Sequence, residues 1–183
     1  ILFLVDRNNL ARQTESEFSL FDRTENQQSL SSLYQIKRLK KEEDIKGDIV
    51  ISTIQKLFAV LTGQTLNEDN EDAEDEVAKR DEEKASQEVV QLNDELKLPP
   101  DYFQLIIVDE CHRSIYGKWK AVLDYFSEAK VLGLTATPTP EAYSYFNNNI
   151  IEQYTYDDSV VDGVNVPARV YRIITDVTEH GGT

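Results

Sequence analysis

Residues 104–113 constrain the fold of this chain more than any other segment. The aliphatic run from Leu105 to Val108 leads directly into two adjacent carboxylates, Asp109 and Glu110. An unbroken apolar run is typical of a central strand in a parallel sheet, because both faces of such a strand are covered. The acids would then lie at the carboxyl edge of the sheet, where open α/β folds bind ligands. Neighbouring carboxylates are costly unless they share a cation or a proton, so the pair predicts magnesium on a nucleotide.

The rest of the chain alternates between strand-like and helix-like segments. Strands are predicted at 1–5, 48–53, 103–109 and 130–134, and helices at 6–21, 54–61, about 118–127 and 140–146. Residues 168–175 are a further strand candidate, and residues 29–39 have no firm assignment. This alternation predicts an α/β fold with a parallel sheet and flanking helices.

The acidic residues are concentrated in one segment. The chain has a formal net charge of -15, and residues 68–95 hold 13 acids against three basic residues, which gives 3 - 13 = -10 and leaves -5 elsewhere. Such a block is typical of a solvated insertion, formed as a polar helix or a mobile loop. The overall acidity therefore does not exclude a nucleic-acid partner.

Composition narrows the class of protein. A single cysteine excludes an internal disulfide and a thiolate metal cluster, and two histidines argue against zinc. No apolar run approaches the length of a membrane span, so we expect a cytoplasmic protein with no membrane partner. The chain contains no methionine, which predicts an internal part of a longer protein.

Four short motifs each lie at the end of a predicted strand. In chain order they are Leu-Val-Asp-Arg-Asn (4–8), Ile-Ser-Thr-Ile-Gln (51–55), Asp-Glu-Cys-His (109–112) and Thr-Ala-Thr-Pro (135–138). They resemble motifs Ia, Ib, II and III of superfamily 2 helicases and translocases. Residues 109–119, 133–140 and 162–166 closely resemble the restriction (R) subunit of type I restriction endonucleases. The resemblance covers nearly the whole chain and is loosest over 21–46 and the acidic insertion.

The resemblance implies a RecA-like first motor lobe over residues 1–148, with the acidic insertion at about 65–98, and a connector toward a second lobe at 149–183. The chain contains no Gly-x-x-x-x-Gly-Lys-[Ser/Thr] phosphate loop. In the family this loop precedes motif Ia. The second motor lobe and the nuclease domain of the family are likewise expected in segments other than the 183 residues of this chain. We therefore expect an incomplete lobe that, alone, neither hydrolyses ATP usefully nor cuts DNA.

The resemblance also implies roles at motifs II and III. Asp109 would hold Mg²⁺ on ATP, Glu110 would polarise the attacking water, and His112 would couple hydrolysis to motif III. The hydroxyls of Thr135 and Thr137 would relay a shift of the acids through hydrogen bonds. The alternative for Asp109 and Glu110 is an ordinary strand end with a capping acid. The alternative for His112 is a purely structural histidine.

Motifs Ia and Ib imply contacts with one DNA strand. Arg7, Ser52, Thr53 and Gln55 would bind its sugar–phosphate backbone, because hydroxyls, amides and helix N-termini suit phosphate contacts and read no sequence. Alternatively, Ser52 and Thr53 cap the following helix, which is compatible with phosphate contact, and Arg7 pairs with Asp6 or a neighbouring acid.

The implied function is ATP-dependent translocation of double-stranded DNA by a type I restriction subunit, together with specificity and modification subunits. The alternatives are another superfamily 2 motor, such as a type III restriction subunit or a DExH RNA helicase, and a non-catalytic relic lobe that only binds.

Overall fold

A computed structural model describes residues 1–23, 28–63, 98–113 and 117–169 of the chain. The chain divides into two compact units, Ile1–Asn147 and Asn148–Thr183. Across the described ranges, no helix is long and apolar enough to cross a membrane. The division into motor lobe and connector stays a prediction.

The first unit is built on a five-stranded sheet in which every neighbouring pair of strands is parallel. The chain's strands are β1 (Leu2–Val5), β2 (Asp22–Arg23), β3 (Gln28–Ser29), β4 (Ile36–Arg38), β5 (Ile49–Thr53), β6 (Leu105–Val108) and β7 (Lys130–Gly133). The sheet has the order β4-β5-β1-β6-β7, and β2 and β3 form a separate antiparallel pair. The predicted α/β fold with a parallel sheet and flanking helices is confirmed.

Helices connect the strands. Among the described residues they are α1 (Asn8–Leu20), α2 (Leu30–Leu33), α3 (Ile54–Leu61), α4 (Gly117–Tyr125), α5 (Pro140–Tyr145) and, in the second unit, α6 (Tyr156–Val161). Short 3-10 turns occupy Glu42–Lys46 and Cys111–Arg113. The Thr53 and Thr139 hydroxyls accept a backbone N–H in the first turns of α3 and α5, which satisfies donors that the helix itself cannot pair.

The apolar core lies on both faces of the sheet because side chains alternate along each strand. Leu2 and Leu4 of β1 belong to a large cluster with residues of α3 and α4, whereas Val5 belongs to a smaller cluster with Ala11 of α1. Phe3 packs against this second cluster and forms an edge-to-face contact with Phe18 of α1. Burying one such large side chain stabilises the fold by roughly 1.5–3 kcal/mol.

The connections that leave the neighbouring strands β1 and β6 run toward opposite edges of the sheet. After β1 the next strands of the sheet, β4 and β5, lie on one side, and β6 and β7 then lie on the other. Open α/β sheets bind ligands at such a switch point, outside the carboxyl ends of the strands. The segments that begin at Asp6 and Asp109 therefore start at this point.

Most predicted elements occur within a few residues of their expected bounds. In the segment without a firm assignment, residues 29–39, the structure has α2 and the edge strand β4. Two predictions lie largely outside the described residues: the strand at 168–175, described only to residue 169, and the acidic insertion, described only at Leu98.

Candidate functional site

Asp109 follows the last residue of β6, beside the end of β1. Its backbone N–H donates to the carbonyl oxygen of Leu4 at 2.9 Å, which continues the parallel hydrogen-bond ladder past the strand. Its side-chain Oδ1 accepts the N–H of Glu110 at 3.0 Å. The half-buried Asp109 carboxylate is therefore held at the sheet edge.

The backbone of Glu110 lies in the left-handed region, with a φ of 50°. For a residue with a side chain this conformation costs about 1–2 kcal/mol. The turn that follows offsets the cost, because the Glu110 carbonyl accepts the N–H of Arg113 at 2.9 Å and closes the 3-10 turn Cys111–Arg113. Strained residues of this kind are concentrated at functional sites.

The Glu110 carboxylate lies next to the imidazole of His112. Its Oε2 is 3.3 Å from His112 Nδ1, a distance within the range of an ion pair. This oxygen is buried, and among the described residues no donor makes a hydrogen bond to it. The Glu110 carboxylate and the His112 imidazole are therefore close together but not aligned for a hydrogen bond. Buried carboxylate oxygens normally accept hydrogen bonds, so Oε2 retains capacity for a further donor.

His112 connects motif II to motif III. Its Nδ1 lies 2.9 Å from the Oγ1 of Thr135, just after β7, and the same Oγ1 accepts the N–H of Thr137 at 3.1 Å. Backbone bonds support this connection: the Cys111 N–H donates to Leu134 at 2.9 Å. The structure thus brings together the acids, the histidine and the first threonine, whereas the Thr137 side chain is exposed.

Cys111 lies beneath this turn as a packing residue. Its side chain is buried in the large core cluster. Burial, with further contributions from the Glu110 and Asp109 carboxylates, raises the pKa of its thiol. A raised pKa keeps the thiol protonated and poorly nucleophilic, as expected of a buried packing residue.

A second cluster of charges surrounds Asp6, directly after β1. The Asp6 Oδ2 accepts a hydrogen bond from Arg113 Nη1 at 2.7 Å and another from Arg7 Nε at 3.2 Å. Arg7 therefore pairs with Asp6, one of the alternatives that the sequence left open. Arg113 was not among the predicted site residues, and its only sequence signal is its position beside His112.

At the end of β5, the two hydroxyl residues are buried. Ser52 and Thr53 are 1% and 2% exposed, and the Thr53 hydroxyl accepts the N–H of Lys56 at 3.4 Å as a helix cap. The Ser52 hydroxyl donates to the Thr53 carbonyl oxygen at 2.8 Å. The capping alternative thus has direct structural support for Thr53 but not for Ser52, while Gln55 is partly exposed. DNA contacts by these residues stay predictions.

The carboxylates suit one mode of magnesium binding. Within the described ranges, no group of three or more histidine, cysteine or acidic residues could hold a metal ion by itself. Magnesium bound with a nucleotide uses one or two protein carboxylates, and phosphates and water supply its other ligands. The adjacent, partly exposed carboxylates of Asp109 and Glu110 fit this mode, and Glu110 Oε2 accepts no hydrogen bond from the part of the chain that the structure describes.

Comparisons with known proteins point to restriction enzymes. The chain is 40% identical over 92 residues to the type I restriction enzyme EcoAI endonuclease subunit of Escherichia coli, which covers 46% of this chain and 11% of that protein. It is 30% identical over 139 residues to the SsaAORF53P endonuclease subunit of Staphylococcus saprophyticus and 27% identical over 139 residues to the SauMSSORF170P endonuclease subunit of Staphylococcus aureus. Each alignment covers 75% of this chain and 12% of the relative.

The chain thus spans about a ninth to an eighth of the length of these relatives. No solved structure matches it significantly. The resemblance to the helicase-like region of type I R subunits is confirmed. Residues 1–140, more than half of the chain, match the family described as "Type III restriction enzyme, res subunit". The chain therefore belongs to this ResIII family of restriction enzyme subunits.

Proposed function

We propose that the chain is part of the ATP-hydrolysing motor of a type I restriction enzyme subunit, which couples ATP hydrolysis to translocation of double-stranded DNA before cleavage. The observation that carries the proposal is the position of Asp109 and Glu110 at the carboxyl end of β6, beside the end of β1. Family membership and the names of the relatives support a restriction enzyme.

In this proposal the two carboxylates have different roles. Asp109 would hold Mg²⁺ on the β- and γ-phosphates of ATP, directly or through water. Bound Mg²⁺ would neutralise charge that develops on the transferred phosphoryl group. Glu110 would orient and polarise the attacking water, since its side chain is 40% exposed and its Oε2 accepts no hydrogen bond from the described residues. Positioning and electrostatic stabilisation supply most of the rate enhancement in phosphoryl transfer. The fold would contribute to both by holding the backbone of this turn, and with it the two carboxylates, in a fixed place.

His112 would transmit movements of the Glu110 carboxylate during ATP hydrolysis to motif III. Its Nδ1 lies within 3.3 Å of the Glu110 carboxylate and 2.9 Å from the Thr135 hydroxyl, so a movement of the carboxylate changes the hydrogen bond to motif III. Thr137 would follow, because its N–H donates to the same hydroxyl.

The DNA would lie along the ends of β1 and β5. Arg7 and Gln55 would contact backbone phosphates through partly exposed side chains, whereas the buried Ser52 and Thr53 would act through the first turn of α3. Such contacts read no sequence, so separate specificity and modification subunits would select the site on the DNA.

The test replaces Glu110 with glutamine in the intact subunit. We expect Glu110→Gln to abolish ATP hydrolysis and translocation and to leave ATP binding largely unchanged, because the amide keeps the shape but cannot act as a base. Steady-state ATP turnover and equilibrium binding of ATP measure the two effects. The control is Glu128→Gln, an exposed acid remote from the turn in sequence. Turnover that survives in Glu110→Gln would exclude this residue as the base.

The family description favours a second candidate, the motor of a type III restriction enzyme. Both candidates predict stimulation of ATP hydrolysis by double-stranded DNA, and stimulation by RNA alone would instead support an RNA helicase. Co-purification with separate specificity and modification subunits would favour the type I candidate. ATP binding without any hydrolysis under all these conditions would favour the relic lobe.

A further inference from the structure

One carboxylate oxygen is shared by two arginines that belong to different parts of the site. The Oδ2 of Asp6 accepts Nη1 of Arg113 at 2.7 Å and Nε of Arg7 at 3.2 Å. The Asp6 side chain is 10% exposed, that of Arg113 35% and that of Arg7 40%. A carboxylate this deeply placed is stable when it is paired with cations, so the arginine contacts hold it in position.

Arg113 also contacts the turn that carries the catalytic acid. Its backbone N–H donates to the carbonyl oxygen of Glu110 at 2.9 Å, while its guanidinium donates to Asp6. The backbone of Arg113 thus belongs to the turn after β6, and its side chain binds the segment after β1. The contact spans 107 positions in the sequence and brings motif Ia against motif II.

Arg7 is the outer member of this series of contacts. It is the most exposed of the three side chains and makes the longer of the two bonds to Asp6. A phosphate arriving from solvent can therefore reach the Arg7 guanidinium and compete with Asp6 for it. Arginine suits this exchange because its planar fork binds carboxylates and phosphates alike.

We infer that Arg113 is a positioning residue that makes the placement of Glu110 respond to a nucleic-acid phosphate on Arg7. Both arginines donate to the same Asp6 oxygen, so a phosphate that withdraws Arg7 strengthens the bond from Arg113. The backbone of Arg113 is fixed to Glu110, so this change acts on the turn that carries the acid. The inference rests on the proposed function for the identity of the ligand, double-stranded DNA.

The first experiment requires no ATP hydrolysis. Because the Cys111 thiol is buried, its slow alkylation by iodoacetamide requires the turn to open, so the alkylation rate reports on the packing of the turn. The rate is followed by peptide mass spectrometry in the intact subunit, with and without double-stranded DNA. We expect DNA to change the alkylation rate in the unmodified protein and to have no effect in Arg113→Gln. An identical effect of DNA in both proteins, or no effect in either, would overturn the inference.

The second experiment separates positioning from a general structural role. Arg113→Gln should lower the ratio of DNA-stimulated to DNA-independent ATP turnover by about fivefold or more, a typical size for coupling between two sites. Arg113→Lys should recover part of the ratio, because it keeps a cation but loses the planar fork. If both turnover rates fall in equal proportion, Arg113 is structural.

A double-variant cycle tests the path through Asp6. If Arg113 acts through that carboxylate, Asp6→Asn combined with Arg113→Gln should lower the ratio no further than either change alone. Effects that multiply would contradict the path. Failure of the proposed function would appear separately, as ATP turnover unaffected by Glu110→Gln. Should Arg113→Gln fail to fold, Arg113→Lys replaces it in these comparisons, with a partial loss of the DNA response as the expected result and an unchanged response as the contradicting one.

Discussion

The Thr135 hydroxyl shows how single residues organise this site. Its oxygen lies 2.9 Å from His112 Nδ1 and accepts the N–H of Thr137 at 3.1 Å. His112 Nδ1 in turn lies 3.3 Å from the Glu110 carboxylate. At the residue scale the site is a series of polar groups in which the position of each depends on its neighbour.

Replacing Thr135 with valine tests this dependence. The change keeps the shape of the side chain but removes the partner of His112 and of the Thr137 N–H, so we expect a loss of about 0.5–1.5 kcal/mol in the free energy of unfolding. Urea denaturation of the purified protein measures the loss. Thr137→Val is the matched control, because that side chain is exposed. Equal losses in the two variants would show that the Thr135 hydrogen bonds add nothing.

Several of these residues could be proposed from the sequence, because a short motif at the end of an apolar run can be recognised without knowing the rest of the fold. Asp109, Glu110 and His112 follow a recognisable strand, and Thr135 follows the next one. Arg113 stands beside them in the sequence, but its pairing with Asp6 could not be predicted. That pairing depends on two strands lying side by side, which places residues 107 positions apart within 2.7 Å.

At the scale of elements, the end of β7 is packed tightly against the motif II turn. A Cβ added to Gly133 would lie 2.7 Å from Cζ of Phe146 and 2.8 Å from Sγ of Cys111. Both distances are shorter than normal contacts, so the strand, the turn and the residue after α5 fit together only because residue 133 has no side chain. The position of the motif II turn therefore depends on a glycine in a different element.

We expect Gly133→Ala to destabilise the fold by about 1–3 kcal/mol, because overpacking forces neighbouring groups to move. Chemical denaturation gives the free energy of unfolding. The double variant Gly133→Ala with Phe146→Leu should lose less than the sum of the two single changes, since leucine leaves room for the new methyl group. Strictly additive losses would contradict a direct clash with Phe146.

At the scale of the whole molecule, the sheet order is what assembles the site. Because β1 and β6 are neighbours and the chain leaves them toward opposite edges, motifs Ia and II meet at the switch point. Motif Ib includes the end of β5 on one side, and motif III follows β7 on the other. All four segments therefore begin at the same carboxyl edge of the sheet.

A prediction for the whole molecule concerns ATP hydrolysis by the isolated 183-residue chain. Its sequence contains no phosphate-loop motif, the segment that motors of this class use as a backbone cradle for ATP phosphates. We expect no DNA-stimulated ATP hydrolysis above background from this chain, measured as phosphate release with excess double-stranded DNA. The intact subunit is the positive control. Activity of the isolated chain would mean that the carboxylates work without such a cradle.

The sequence by itself determined the fold class, the main strands and the acid pair, because apolar runs and their periodicity are properties of short segments. It also indicated the family, through motifs that each occupy only a few residues. Only the tertiary structure decided that Thr53 caps α3, that residues 36–38 form an edge strand, and that Asp6 is shared by Arg7 and Arg113. The physical reason is that burial, strand order and ion pairing between distant residues arise only when the whole sheet has assembled.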